Sequence, residues 1–294
     1  MWSLIAIGAV LLVTSYPPFT LVPLTPALSF IVVIPPVLLV AQLAADGDPR
    51  RAFKWGFAYA FAAYSLVLYW LIVALWRFTK LSALGFLATV LIIAVLHGAM
   101  FWFLVRIRQR LPRMPLWITF PIAWTAVEWL IGHLGDIEFP WLGLGTSLAD
   151  ARVLAQWADI AGARGLTLWL AWCGAFLADR MADGGWRPYL TRRVAPVALT
   201  VMLASAYGMW RMRTLPLRDV GVVGMVQPNV GYSEKWEKFR ADDIVADLLT
   251  LSERVLAVSR PDLIIWPEAA IPDFLWRRST WVNRQSRTKF ASSN

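Results

Sequence analysis

The sequence predicts a multi-span α-helical membrane domain followed by the start of an α/β domain, and three observations lead there. The 294 residues are 59% hydrophobic and 16% charged, with a mean hydropathy of +0.57; a soluble globular mixture carries roughly a quarter charged residues. The apolar residues fall into long runs separated by short basic loops. After Trp210 that pattern stops and a strand, helix, strand pattern replaces it. Many of the 18 Trp sit at run ends, Trp55, Trp76, Trp117, Trp141 and Trp210 among them, where the amphipathic indole suits the headgroup region.

A helix needs about 20 mainly apolar residues to cross the hydrocarbon core, fewer where the bilayer thins or flanking residues snorkel. Seven runs qualify, at approximately 2–14 (short), 27–45, 55–76, 81–105, 115–133, 166–181 (short) and 194–210. The first 45 residues hold no charge. Tyr16-Pro17-Pro18 and Pro23 to Pro26 break that stretch into a helical hairpin with a proline-rich turn. No Lys or Arg precedes the first run, which disfavours a cleaved signal peptide.

Orientation follows from the cations of alternate loops. The loops after the second, fourth and sixth runs carry Arg50, Arg51, Lys54, Arg106, Arg108, Arg110, Arg113, Arg180, Arg187, Arg192 and Arg193. Those after the third and fifth carry only Arg77, Lys80, Arg152 and Arg164. Eleven against four places the N-terminus in the cytoplasm and everything after residue 210 outside. The net charge of +9 therefore reflects membrane topology and a basic tail, and no nucleic-acid partner is expected. The loop from Gly135 to Gly165 contains a stretch, Ala151 to Ile160, with apolar residues at helical spacing that suits the interface plane.

Ionisable residues inside spans are expensive and default to functional candidates. Glu128 in the fifth run reads either as a structural partner of a neighbouring helix or as part of a substrate cavity. His97 and His133 read as packing residues, and without nearby carboxylate or thiolate spacing they make no metal site. No metal and no cofactor is expected. The single cysteine, Cys173, lies in an apolar run, allows no intrachain disulfide and reads as a small packed residue.

Beyond Trp210, Val220 to Gln227 reads as a short buried strand ended by Pro228-Asn229. From Arg240 to Val258, Ile244, Leu248, Leu249, Leu251, Val255 and Leu256 recur at spacings of three and four, an amphipathic helix. Arg260-Pro261-Asp262 stops it, and Leu263 to Trp266 forms a second apolar strand, closed by Pro267. The two strands make a βαβ unit, apolar throughout as a covered parallel sheet requires. Glu268 stands at the carboxyl end of the second strand, where α/β enzymes place chemistry. Held between Pro267 and Pro272 beside apolar side chains, it is expected to be partly desolvated, which suits a general base; the alternative reading is a solvated cap.

The segment Asp262-Leu-Ile-Ile-Trp-Pro-Glu268-Ala-Ala-Ile-Pro-Asp273 resembles the first catalytic motif of the nitrilase superfamily, in the version found in apolipoprotein N-acyltransferases. Val223-Gly-Met-Val-Gln227-Pro-Asn229 is similar to that family's first strand, and Glu234-Lys235-Trp236 to its Lys-Trp turn. Glu128-Trp129-Leu130 and Phe139-Pro140-Trp141-Leu142-Gly143 resemble two membrane segments of the family, in the same order. The resemblance implies a nitrilase-like α/β/β/α sandwich after the membrane domain. Its boundaries would be 1–210 for the transmembrane part, 211–274 for the first part of the nitrilase-like domain and 275–294 for a basic tail. It implies transfer of an acyl chain from a membrane phospholipid to the α-amino group of a diacylglyceryl-cysteine at the start of a bacterial apolipoprotein, through a thioester and a Glu, Lys and Cys triad. Glu268 matches the catalytic base, and Trp236 and Glu128 stand as the substrate-binding candidates. The setting would be the bacterial inner membrane, with the nitrilase-like part periplasmic.

Two departures qualify the likeness. Ile131 follows Glu-Trp-Leu where the family usually has Arg, which puts any contact made by that Arg in doubt. The triad Lys and Cys and a final span should lie beyond residue 274, where nothing matches, so the chain reads as a C-terminally truncated form. The alternatives are a non-catalytic membrane paralogue binding lipid or lipoprotein, a membrane-tethered amidase, or a helical transporter.

Overall fold

The computed structural model describes residues 1–16, 26–76, 79–178, 194–231, 235 and 240–271. The proline-rich turn, Arg77, the cations Arg180 to Arg193, Glu234, Trp236 and the tail 275–294 lie outside the described residues. The chain divides into two compact units, Met1–Leu215 and Pro216–Asn294.

The first unit is helical. Its elements are α1 (Trp2–Ser15), a 3-10 segment (Pro26–Val33) continuing into α2 (Ile34–Asp46), α3 (Pro49–Val67), α4 (Tyr69–Leu75), α5 (Ser82–Arg110), α6 (Leu116–Ile131), a single turn α7 (Arg152–Ala155), α8 (Ala158–Ala178) and α9 (Ala195–Thr214). Each of the seven apolar runs thus contains a helix. Local chemistry sets several of the ends. Gly47 closes α2 in the left-handed conformation (φ 72°), Asp48 caps α3 by accepting from Arg50 N–H at 2.9 Å, and Pro49 takes the first helical position, where its missing N–H costs nothing. This combination starts α3 six residues before the apolar run at 55–76. α8 likewise begins earlier than the run at 166–181, because Asp159 pairs with Arg211 and Arg164 with Glu128. The stretch Ala151 to Ile160 is not one element: α7 ends at Ala155, and Gly162 (φ 66°, ψ 179°) kinks α8.

The bilayer is the solvent that this unit fits. Leu84, Leu87, Leu91 and Val95 recur at three- and four-residue spacing along α5, and all are exposed. In water such a stripe would be an unburied core face. Inside, helices pack through small residues. A Cβ added to Gly56 would lie 2.6 Å from the Phe101 ring, and one on Gly98 would lie 3.0 Å from the Phe53 carbonyl, so α3 and α5 meet at near-backbone distance. Three segments, Ser29–Asp46, Ser82–Arg110 and Ala158–Ala178, are long and apolar enough to cross a membrane, and α3 with α4, bent by 42°, adds a fourth if taken as one span. α1 and α6 are shorter apolar helices of 14 and 16 residues; at 1.5 Å per residue they measure about 21 and 24 Å, below the ~30 Å hydrocarbon thickness.

The second unit contains β1 (Val223–Met225), α10 (Ala241–Ser259) and β2 (Leu263–Ile265). The strands pair in parallel with Val223 opposite Leu263 and Met225 opposite Ile265. Helix α10 buries Ile244, Val245 and Leu248 and packs on one face, with Val226, Ile264 and Trp266. Gly224 belongs to this contact, since a Cβ there would lie 2.5 Å from Val255. The other face, Val223, Met225, Leu263 and Ile265, is exposed among the described residues. This corrects the expectation of strands buried throughout. The βαβ order holds, while the sandwich that the resemblance implies is not shown by two strands.

Candidate functional site

Helix α6 sets Trp124 and Glu128 one turn apart on the same face, buried with Leu116, Phe120 and Ile131. Gly132 ends the helix, and the chain returns through three 3-10 turns, Gly135–Ile137, Pro140–Leu142 and Leu144–Leu148. Phe139 N–H ties the return to the Ile131 carbonyl at 2.8 Å. This brings the two membrane segments singled out in the sequence into contact. Glu128 Oε1 accepts from the Trp124 indole N–H at 2.7 Å and from Leu144 N–H at 2.8 Å. Oε2 accepts from the Thr167 hydroxyl at 2.8 Å and pairs with Arg164 Nη1 at 3.4 Å. Thr167 Oγ1 in turn accepts from Gly145 N–H at 3.0 Å, and Tyr16 donates to the Leu142 carbonyl at 2.9 Å. α6, α8 and the loop therefore converge on one carboxylate, and the end of α1 is tied to the loop.

The Glu128 side chain is 2% exposed, and four donors already surround its oxygens. Buried charge is tolerated where it is paired and hydrogen-bonded in this way. What the arrangement does is fix the loop, which holds Trp141 outward, 67% exposed, with its ring 6.4 Å from those of Trp70 and Phe139. Ile131, where the resembled segment usually has Arg, is buried, and the cation beside Glu128 comes from α8 instead. Sequence reasoning counted Arg164 as a loop cation and passed over Thr167 and Trp124. An Arg just after Gly162, entering an apolar run that follows a run with a buried acid, was the available signal.

The two histidines are accounted for by neighbours. His97 Nδ1 donates to the Ile93 carbonyl at 2.9 Å, which leaves Nε2 to accept from the Tyr64 hydroxyl at 3.2 Å. Its ring lies 5.4 Å from that of Trp124. His133 donates to the Trp129 carbonyl at 2.7 Å and stacks on that indole. Cys173 is buried in α8 near Thr200.

In the second unit, Trp266 donates from its indole to Ser252 Oγ at 3.0 Å, stitching the end of β2 to α10. Three residues on, the chain turns at Ala269, a non-glycine in the left-handed region (φ 52°), with Ala270 N–H returning to the Pro267 carbonyl at 3.1 Å. Left-handed backbone is costly for alanine, and such positions concentrate at sites where the surrounding structure has a reason to hold them. The turn leaves Glu268 exposed. This corrects the expectation that flanking prolines and apolar neighbours desolvate it; Pro272 lies outside the described residues. Lys235 Nζ reaches the Glu268 carbonyl oxygen at 3.4 Å, so Lys235 and the base-motif loop, apart in sequence, meet in space. Trp236 lies outside the described residues.

Comparison with known proteins identifies the family. Residues 8–176 match the family described as apolipoprotein N-acyltransferase N-terminal domain. The chain is 29% identical to the apolipoprotein N-acyltransferase of Geobacter metallireducens over 243 residues, covering 81% of this chain and 46% of the relative. With that of Vibrio vulnificus it shares 30% over 251 residues, 83% of this chain and 47% of the relative. With that of Chlorobaculum tepidum it shares 25% over 274 residues, 92% and 49%. The chain spans about half the length of the curated relatives it matches. With more than half of its residues inside the family match, this membrane protein belongs to the apolipoprotein N-acyltransferase family.

Proposed function

We propose that the protein to which this sequence belongs transfers an acyl chain from a membrane phospholipid to the α-amino group of the N-terminal diacylglyceryl-cysteine of bacterial apolipoproteins. The family match over residues 8–176 is the observation that supports this most. In this reading a thiolate attacks an acyl ester of the phospholipid, releasing the lysophospholipid alcohol and leaving a thioester. The substrate amine then attacks the thioester, forming the amide and returning the thiol. Glu268 is the base that takes the thiol proton in the first half and the amine proton in the second. Its exposure at a strand end suits a group that must exchange protons with two successive partners. Lys235 steadies the loop that carries it, and Trp236 is a substrate-positioning residue.

Glu128 serves the substrate indirectly in this proposal, by holding the aromatic loop Phe139 to Leu142 rather than by touching a ligand. The setting is the bacterial inner membrane, with the N-terminus cytoplasmic and the nitrilase-like part periplasmic, a side consistent with the excess of cations in the even-numbered loops. Depleting the gene product in its host tests the assignment: mature lipoproteins should lose one acyl chain and gain a free α-amino group by mass spectrometry. Lipoproteins that stay triacylated after depletion would overturn it.

A further inference from the structure

Among the described residues, three buried hydroxyls have no hydrogen-bond partner in the protein: those of Tyr59, Ser82 and Thr125. Ser82 and Thr125 carry short side chains on helices, and rotation about one bond turns such a hydroxyl onto a carbonyl of the preceding turn. The phenol oxygen of Tyr59 sits at the far end of a rigid ring and has no such recourse. Tyr59 is fully buried in α3, inside the apolar run at 55–76, with its ring stacked 6.2 Å from that of Phe101. Two other buried phenols of this unit are satisfied, Tyr16 by the Leu142 carbonyl at 2.9 Å and Tyr64 by His97 Nε2 at 3.2 Å. Hydrocarbon offers no substitute partner, so an unmade bond at Tyr59 is costly.

An acceptor in the same position stands in the neighbouring helix. Where the 3-10 segment continues into α2, the carbonyl of each residue is ordinarily taken by the N–H three or four positions on. For Val32 those positions are Pro35 and Pro36, and neither has an N–H to give. Val32 is 3% exposed, so bulk water does not reach its carbonyl freely. The turn made by these prolines packs at Tyr59. A Cβ added to Gly8 of α1 would lie 3.1 Å from Pro35 Cβ and 2.7 Å from Tyr59 Cε2, the ring carbon beside the one that bears the hydroxyl. A donor and an acceptor, each without a partner of its own, thus border one contact of α1, α2 and α3, and they do not bond each other directly. A molecule that both accepts and donates, and is no larger than water, answers both.

We propose that the helical unit holds one structural water between Tyr59 and Val32, accepting from the phenol and donating to the carbonyl, so that it ties α3 to α2 past Gly8. The site belongs to the packing of the first unit and does not depend on acyl transfer. The full chain purified in detergent tests it by thermal midpoint. Tyr59→Phe keeps the ring and removes only the hydroxyl. It should lower the midpoint by about 2–4 °C, the scale of one hydrogen bond in a chain of this size. A hydroxyl that is merely buried and unpaired predicts the opposite sign, so a midpoint unchanged or raised would overturn the proposal. Pro36→Ala supplies an N–H to the Val32 carbonyl and takes the acceptor from the water. Introduced into that background, Tyr59→Phe should lower the midpoint by less than half as much; an undiminished loss would show that the two groups share nothing. A crystal structure in a lipidic phase should carry a density peak about 2.8 Å from both Tyr59 Oη and the Val32 oxygen. Direct contact between those two atoms, or no peak between them, would also contradict the assignment.

Discussion

Glu128 and Glu268 are both carboxylates in segments that resemble family motifs, yet their surroundings are opposite. Glu128 is sealed inside the helical unit, with donors from Trp124, Leu144, Thr167 and Arg164 on its two oxygens. Glu268 stands exposed on a left-handed turn at the end of a strand, held through its backbone carbonyl by Lys235. A carboxylate saturated by fixed donors is poor material for proton transfer and good material for construction. One left open is the reverse. Under the proposed function the first is architecture and the second chemistry, a contrast that can be broken at either end.

The largest stability effect is expected at the hub. Glu128→Ala strips one acceptor from four donors and leaves Arg164 uncompensated, so it should cost about 3–5 kcal/mol, read as a lowered thermal midpoint of the purified protein in detergent. A loss below about 1 kcal/mol, the range of an ordinary exposed pair, would remove the structural role. The α3/α5 contact comes next. Gly98→Val drives a side chain into the Phe53 carbonyl, 3.0 Å from an added Cβ, and should cost about 1–3 kcal/mol by overpacking; the same thermal measurement checks it. Smaller still is Trp266→Phe, which deletes the 3.0 Å bond to Ser252 and should cost about 1 kcal/mol, seen as faster amide exchange in α10 and β2. Smallest is Ala269→Gly, which relieves the left-handed backbone next to Glu268. It should leave stability unchanged or raise it by up to about 1 kcal/mol, and a clear loss would show that the turn relies on more than its φ angle.

The same contrast marks how much could be read from the sequence. The seven apolar runs all carry helices because hydropathy over about 20 residues is a local property, and the parallel pairing of Val223–Met225 with Leu263–Ile265 followed from two valine- and isoleucine-rich stretches around an amphipathic helix. Glu128 stood out because an acid in an apolar run is conspicuous. Its partners did not, since Arg164 and Thr167 are 36 and 39 positions away, and only the antiparallel packing of α6 on α8 brings them near. The exposure of Glu268 was missed for a related reason. Proline and apolar neighbours along the chain say little about which side of a turn a side chain takes. The early start of α8 depended on Asp159 and Arg164 each finding a partner in another helix, again a tertiary fact.

The central claim, that Glu268 is the reacting carboxylate of a lipoprotein N-acyltransferase, is tested most directly by replacing the host's allele with Glu268→Gln and analysing lipoprotein N-terminal peptides by mass spectrometry. Because the residue is exposed, stability should change by no more than about 0.5 kcal/mol, so protein levels should match wild type while lipoproteins accumulate in the diacylated form with a free α-amino group. Normal triacylation at wild-type protein levels would contradict the account.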